Sequence, residues 1–484
     1  MNLNYRIIIK VNGIILIILG ISMIPSFIVS LIYEEQSYLS IIFASLISLV
    51  FGFILRQIDV KSDKFSYSEG IGIVAIGWFL SSVIGALPFI FSGYIINPID
   101  AFFETVSGFT TTGASILTDI EALPKGILFW RSFTHWLGGV GILVFAVALL
   151  PSIGVGSIQI IKAESSGPKV DKITHKISDN AKILYIIYTI MTFAEIILLL
   201  FGGLNFYDAF VHTFATVGTG GFSVYNQSIA HFDSTYIDLV ISFFMFLSGS
   251  NFALYFSLYK GKWRSVVKDD EYRFYFVMVF ASTTIIALNL LSNGAYESIG
   301  TALRYSFFQV CSITTETGFS TANFDQWPVL SKLILFILIF IGGCTGSTSG
   351  GIKSLRIVVA LRIIKREFTK KLHPRAMIPI RINNRPISTD SVSDILSFIV
   401  LYLTTFIVGT FLLAFDDISL MTAASSVAAC IGNTGPGFDV VGPAGNYSSL
   451  SNFSTAVLSV IMLIGRLELY SVYILFIPAF WKQD

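Results

Sequence analysis

A chain of 484 residues that is 54% hydrophobic and 13% charged, with a mean hydropathy of +0.76, is not a soluble globule, since soluble domains give about a quarter of their residues to charge. It reads as an all-α polytopic membrane protein. The formal net charge of +1 says little by itself, where the charges sit says more, and no nucleic-acid partner is expected.

Taken in order, Ile7 to Ile32 and Tyr38 to Leu55 are apolar runs of roughly membrane length, joined by an acidic connector carrying Glu34 and Glu35. The first lacks a small-residue cleavage site and reads as an anchor, so the pair forms an N-terminal transmembrane hairpin over 1–67. A unit then begins. Ser68 to Phe91 is a span, Ile99 to Gly108 a short amphipathic piece, and Ile127 to Leu150 a second span. The short piece is too short to cross. Irregular backbone after it is tolerated at membrane depth only where it is buried in protein or lines water. Span, half-helix, polar loop and span together make a re-entrant pore unit.

The unit recurs three times. Its spans and half-helices are Ala181–Phe201, Tyr207–Ala215 and Tyr236–Tyr259; then Phe274–Leu291, Glu297–Ile313 and a span from Ser331; then Ser393–Phe415, Ser419–Ala429 and Phe453–Trp481. The expected fold is therefore ten spans, the hairpin plus four pseudo-fourfold pore repeats over 68–176, 177–272, 273–386 and 387–484. The period is too long for a solenoid and suggests a duplicated module.

Four polar loops lie between the half-helices and the second spans. They read FTTTGAS from Phe109, TVGTGGFS from Thr216, TTETGFS from Thr314 and CIGNTGPGF from Cys430. Aligned on one glycine they give Gly113, Gly221, Gly318 and Gly435. A dehydrated cation needs oxygens in place of its water shell, and rings of backbone carbonyls supply them. Glycine permits the dihedrals that turn carbonyls toward one axis, and each half-helix would point its partly negative C-terminal end at the ion. The candidate cation ligands are Thr111, Thr112, Gly113, Gly220, Gly221, Thr317, Gly318, Thr434 and Gly435. Thr110, Thr219, Glu316 and Asn433 flank them, and Glu316 is expected to point behind its loop into a hydrogen bond. Asp119, Asp233, Asp325 and Asp439 follow the glycines as candidate acids of an outer mouth, or as plain solvated loop residues.

The basic residues set the topology. With a cytoplasmic N-terminus, 26 of the 31 Lys and Arg fall inside, leaving Lys125, Arg131, Arg304, Lys332 and Arg466; the four loops then face outward. One further segment interrupts an apolar span, GGCTGSTSGG from Gly342 to Gly351. Its glycines and hydroxyls would break the helix and leave backbone needing partners or water. Arg466, near the middle of the last span, costs at least ~2.5 kcal/mol on insertion scales unless it faces protein or water. A pair with Glu468, two residues on, is disfavoured because the two lie on different helix faces. The expected gate comprises Gly342, Gly343, Gly346, Ser347, Gly350, Gly351, Lys353 and Arg466.

Several stretches carry a family resemblance: WLGGVGILVFAVALLP from Trp136, GVGSIQIIKAESSGP from Gly154, GGCTGSTSGGIKSLR from Gly342, IGNTGPGF from Ile431 and GRLELY from Gly465. Nearly end to end, the chain resembles the TrkH family, the membrane subunits of bacterial Trk potassium-uptake systems, within the Trk/Ktr/HKT superfamily. The resemblance implies a potassium-selective pore in the bacterial inner membrane, because glycine at all four aligned positions goes with potassium and serine in the first with sodium. It also implies a constriction made by the 342–351 loop and Arg466, a homodimer, and a TrkA-like cytosolic nucleotide-binding ring docked on the inner face. Sensitivity to ATP, ADP or NAD would belong to that partner, since this chain has no P-loop and no dinucleotide fingerprint. The cysteines Cys311, Cys344 and Cys430 and the five histidines lack metal-ligand or disulfide spacing. His135, Glu104 and Glu195 are too scattered for an enzyme site, and four like-oriented units differ from the two-half repeats of secondary transporters. A sodium-permeable or sodium-coupled relative is the remaining alternative.

Overall fold

The computed structural model describes residues 3–60, 66–139, 141 and 177–481. The distal half of the Ile127–Leu150 span, most of the basic run from Lys162 to Lys182, and Lys61, Lys64 and Lys482 lie outside the described residues. The chain is mostly helical, and among the described residues strands are confined to two short pairs. Among the described residues, six helices are long and apolar enough to cross a membrane, or up to eight if each of two bent helix pairs is one span.

The N-terminal hairpin consists of α1 (Tyr5–Ser22), α2 (Ile24–Ile32) and α3 (Tyr38–Arg56). Gly13 and Gly52 let its helices touch: a Cβ on Gly52 would lie 2.7 Å from the Gly13 carbonyl oxygen. Close backbone approach at small residues is how helices associate where lipid removes the hydrophobic drive. Ser48 and Ser45 donate across the same seam to the carbonyls of Leu16 and Gly20, each at 2.7 Å. Glu35 joins the hairpin to the first repeat. Its carboxylate accepts the N–H groups of Lys125 (2.7 Å) and Gly126 (3.0 Å) at the start of α7 (Lys125–Gly139), where a helix dipole favours negative charge.

Within the repeats, long helices frame four short ones. The long first helices are α4 (Tyr67–Gly85), α8 (Ile177–Phe201), α12 (Asp270–Ser292) and α16 (Thr389–Leu413). The short helices are α6 (Pro98–Phe109), α9 (Phe206–Val217), α13 (Ile299–Thr314) and α17 (Leu420–Gly432). Each starts at a polar cap: Asn97, Asn205, Ser298 and Ser419 accept a backbone N–H two or three residues on. Their apolar composition is explained by burial. In α6, every residue from Phe103 to Phe109 is buried.

After the second, third and fourth loops the helices are broken rather than straight. Helix α10 (Thr235–Ser248) meets α11 (Phe252–Tyr259) at 93°, and α18 (Asn452–Arg466) meets the next helical stretch, from Tyr470, at 116°. Helix α14 (Val329–Phe340) stops at β1 (Ile341–Gly342), which pairs in parallel with β2 (Ile352–Lys353) before α15 (Ser354–Leu372). Two stretches drawn from sequence as uninterrupted spans, Tyr236–Tyr259 and Phe453–Trp481, are thus each two segments. The first break is set by Asn251, whose side chain caps α11 by accepting the Ala253 N–H at 2.9 Å. The second turns at Glu468 and Leu469, both at positive φ (54° and 58°).

Candidate functional site

The four short helices end in the same way. Thr111, Thr219, Glu316 and Asn433 take left-handed conformations (φ 55°, 54°, 61° and 61°). The next N–H reaches back five residues in every case: Thr112 to Ser107, Gly220 to Ala215, Thr317 to Ser312 and Thr434 to Ala429, at 2.8–2.9 Å. With the companion bond three residues back, each is a Schellman ending. The aligned glycine follows, again at positive φ: 81° for Gly113, 75° for Gly221, 78° for Gly318 and 93° for Gly435.

The glycines close a ring. A Cβ on Gly113 would collide with the carbonyl oxygen of Gly220, one on Gly221 with that of Thr317, and one on Gly318 with that of Thr434. On Gly435 it would lie 2.5 Å from the carbonyl oxygen of Thr112. Each loop therefore lays its glycine against the carbonyl of the next, in the order one, two, three, four and back to one. Eight of the nine expected cation ligands make this ring; Thr111 is the left-handed residue just before it, in the place that Thr219, Glu316 and Asn433 take in the other loops. Side chains stitch it: Thr110 to Thr112 (2.7 Å), Thr315 to Thr317 (2.8 Å), Asn433 Nδ2 to Thr112 Oγ1 (2.9 Å) and Tyr447 to the Gly435 carbonyl (2.7 Å).

The Gly342–Gly351 segment leaves the helix path and packs among the broken helices. The Cys344 N–H donates to the Gly249 carbonyl (2.7 Å), and the Phe252 N–H to that of Gly346 (3.1 Å), so the segment fills the α10–α11 break. Arg466 closes over it, donating from Nη1 to the Thr348 carbonyl at 2.8 Å and from Nη2 to those of Gly138 (2.5 Å) and Gly139 (3.2 Å). Lys353 donates to the Ser349 carbonyl. Glu271 holds both ends of the segment, accepting the N–H groups of Thr345 (2.5 Å) and Leu355 (3.1 Å) on one oxygen. All eight expected gate residues lie in or against this segment. Glu468 pairs with Arg356 at 2.5 Å, while Arg466 bonds to backbone carbonyls of two other elements.

The profile of TrkH, described as a cation transport protein, matches residues 39–483. The chain belongs to the TrkH family. It is 36% identical over 485 residues to the Trk system potassium uptake protein TrkH of Escherichia coli K12, covering 99% of this chain and 100% of that one. It is 33% identical to TrkG of the same organism, covering 99% of each. The crystal structure of the potassium transporter TrkH from Vibrio parahaemolyticus is similar at a TM-score of 0.89 and 32% identity, over 99% of this chain and 100% of that one.

In this TrkH-family chain, the five basic residues left over by the topology count all have assigned work. The Lys125 ammonium sits 4.0 Å from the Tyr33 ring centroid. Arg304 pairs with Asp238 (2.7 Å), and Lys332 donates to the Asp325 carbonyl (3.1 Å). Arg131 is the one that bears on the ring. Its Nε donates to Glu104 at 2.6 Å and its Nη1 to the Ser223 carbonyl at 2.9 Å, while Glu104 also accepts from Ser115 (2.9 Å) and the Ile116 N–H (3.0 Å). This buried brace ties the first loop to the second. Reading the sequence missed it, although an arginine opposing the charge rule was the available signal.

The acids beyond the glycines divide. Asp439 accepts from Ser419 (2.5 Å) and Thr422 (2.7 Å), hydroxyls that hold its carboxyl below the usual range. Asp325 accepts the Asp439 N–H at 2.7 Å, and Asp119 accepts from Asn226 at 2.9 Å. These acids fasten the connections between loops. Glu316 is fully buried, and its carboxylate lies against Gly342, Gly350 and Gly351. It points behind its loop as expected, but neither oxygen has a hydrogen-bond partner among the described residues.

Proposed function

We propose that this chain carries potassium into the bacterial cell across the inner membrane, through a filter formed by its four polar loops. The observation that carries the reading is the closed ring of four glycines, each at positive φ and each against its neighbour's carbonyl. Such a ring offers a cation oxygens fixed by backbone rather than by buried negative charge. Relatives that match over nearly the whole chain are potassium uptake proteins. Thr111, Thr112, Gly113, Gly220, Gly221, Thr317, Gly318, Thr434 and Gly435 hold the ion. Thr110, Thr219, Glu316 and Asn433 flank them.

The architecture behind the reading is ten spans in all, two in the N-terminal hairpin and eight in four repeats over 68–176, 177–272, 273–386 and 387–484, each broken helix counted as one span. The N-terminus is cytoplasmic. The 342–351 segment and Arg466 form the gate, and a TrkA-like nucleotide-binding ring on the cytoplasmic face moves it in a homodimeric assembly. The chain itself performs no enzymatic step and binds no nucleotide.

Expression in a bacterium lacking its own potassium uptake tests this. Growth at low external potassium is the expected result, lost on Gly113→Ser. Failure to rescue growth, with sodium entering instead, would overturn the reading in favour of a sodium-permeable pore.

A further inference from the structure

Glu316 is not accounted for by the ring. Its Oε1 lies 2.7 Å from where a Cβ on Gly342 would sit. Its Oε2 takes part in a tighter convergence. The position of a Cβ on Gly350 lies 2.6 Å from the Gly432 carbonyl oxygen, 2.9 Å from Glu316 Oε2 and 3.0 Å from Asn433 Oδ1. Both Glu316 oxygens and Asn433 Oδ1 are buried without hydrogen-bond partners among the described residues. Burying a carboxylate this way is costly unless a cation compensates it, and buried polar groups left without partners call for an ion or a role. Burial weighs most on this carboxylate, offset by the charges of Lys353 and Arg466 and by the backbone of Gly350; Lys353 lies two residues beyond the end of the segment that carries Gly350.

We propose that Glu316, Asn433 and the carbonyl of Gly432 form a binding site for a dehydrated alkali cation, which Gly350 occupies while the 342–351 segment is seated. Two of the three oxygens, at 2.9 and 3.0 Å, lie beyond the about 2.3–2.6 Å that suits calcium, which favours a larger, singly charged ion of the potassium class. One carboxylate balances one such charge. As the segment withdraws, Gly350 and the tethered Lys353 ammonium leave together, and a mobile cation takes their place. The inference rests on the reading of 342–351 as a movable segment beside a potassium filter. It adds that the ion itself holds the segment out.

The test uses the full chain in lipid vesicles and the native thiol of Cys344, which is buried within the segment. Its labelling by a membrane-permeant maleimide is followed by the mass of its peptide, in potassium, rubidium or N-methylglucamine salts. A cation that binds only the withdrawn state raises labelling by mass action, about threefold at about twice its dissociation constant. The parent is expected to show this rise in potassium and rubidium. Glu316→Gln is expected to label at the same rate in all three salts. Gly350→Ala, whose methyl would fall among the three oxygens, labels fast whatever the salt. A parent indifferent to potassium, a Glu316→Gln protein that keeps the full response, or a Gly350→Ala protein that behaves like the parent would each overturn the proposal. Potassium flux by the parent, measured in the same vesicles, reads the filter separately from this site.

Discussion

Gly113 shows why a single methyl group matters in this molecule. Its φ of 81° disfavours any side chain, and a Cβ there would strike the Gly220 carbonyl oxygen. A left-handed conformation costs an L-residue about 1–2 kcal/mol, and the collision forces the neighbouring carbonyl out of line as well. Gly113→Ser is therefore expected to cut potassium-over-sodium discrimination tenfold or more, a loss of about 1.4 kcal/mol, read as a shift in bi-ionic reversal potential. Arg131 and Glu104 act one layer out, as positioning residues. Removing one partner of a buried ion pair leaves an uncompensated charge and typically costs about 3–5 kcal/mol. Glu104→Gln should accordingly lower the melting temperature in detergent and weaken selectivity together; unchanged melting would show that the brace does not hold the loops. The glycines were legible because four copies repeat in order along the chain. The brace was not, because Glu104 and Arg131 are 27 residues apart and nothing in the sequence shows that both are buried.

Among the elements, the 342–351 segment is held from three sides: by Arg466, by Glu271 at its two ends, and by the backbone of the α10–α11 break. Hydrogen bonds to charged groups contribute about 1.5–3 kcal/mol each, so losing either side chain destabilises the seated state. Arg466→Ala should raise ion flux in the absence of a cytosolic partner by about tenfold or more, matching a loss of at least about 1.4 kcal/mol. Unchanged basal flux with unchanged selectivity would remove Arg466 from the gate. Glu271→Gln should raise the same basal flux and speed Cys344 labelling, because it weakens both ends of the segment at once. The segment was visible in the sequence as glycines and hydroxyls inside an apolar run. The breaks at 249–251 and 467–469 were not, because hydropathy runs on across them. Asn251 as a cap and Leu469 at positive φ are features of the folded backbone.

Across the whole molecule, four repeats share one helix ending and one glycine contact but differ in what stands behind the ring. Only the third repeat carries the glycine-rich segment in its sequence; the third and fourth loops meet it through Glu316 and Asn433, and the second through the Val217 carbonyl, which accepts from Thr348 at 3.2 Å. On the proposed reading, a near-symmetric filter is thus joined to an asymmetric gate, which would separate the choice of ion from the control of its passage. The N-terminal hairpin lies outside this arrangement and is fastened to it by Glu35 at the start of α7. The central claim is that the ring of four glycines selects potassium. Rubidium influx into vesicles containing only the purified chain, with potassium or sodium as competitor, tests it most directly. The account predicts that potassium suppresses the influx in the parent while sodium leaves it nearly untouched, and that Gly113→Ser loses this distinction; equal suppression by sodium in the parent would contradict it.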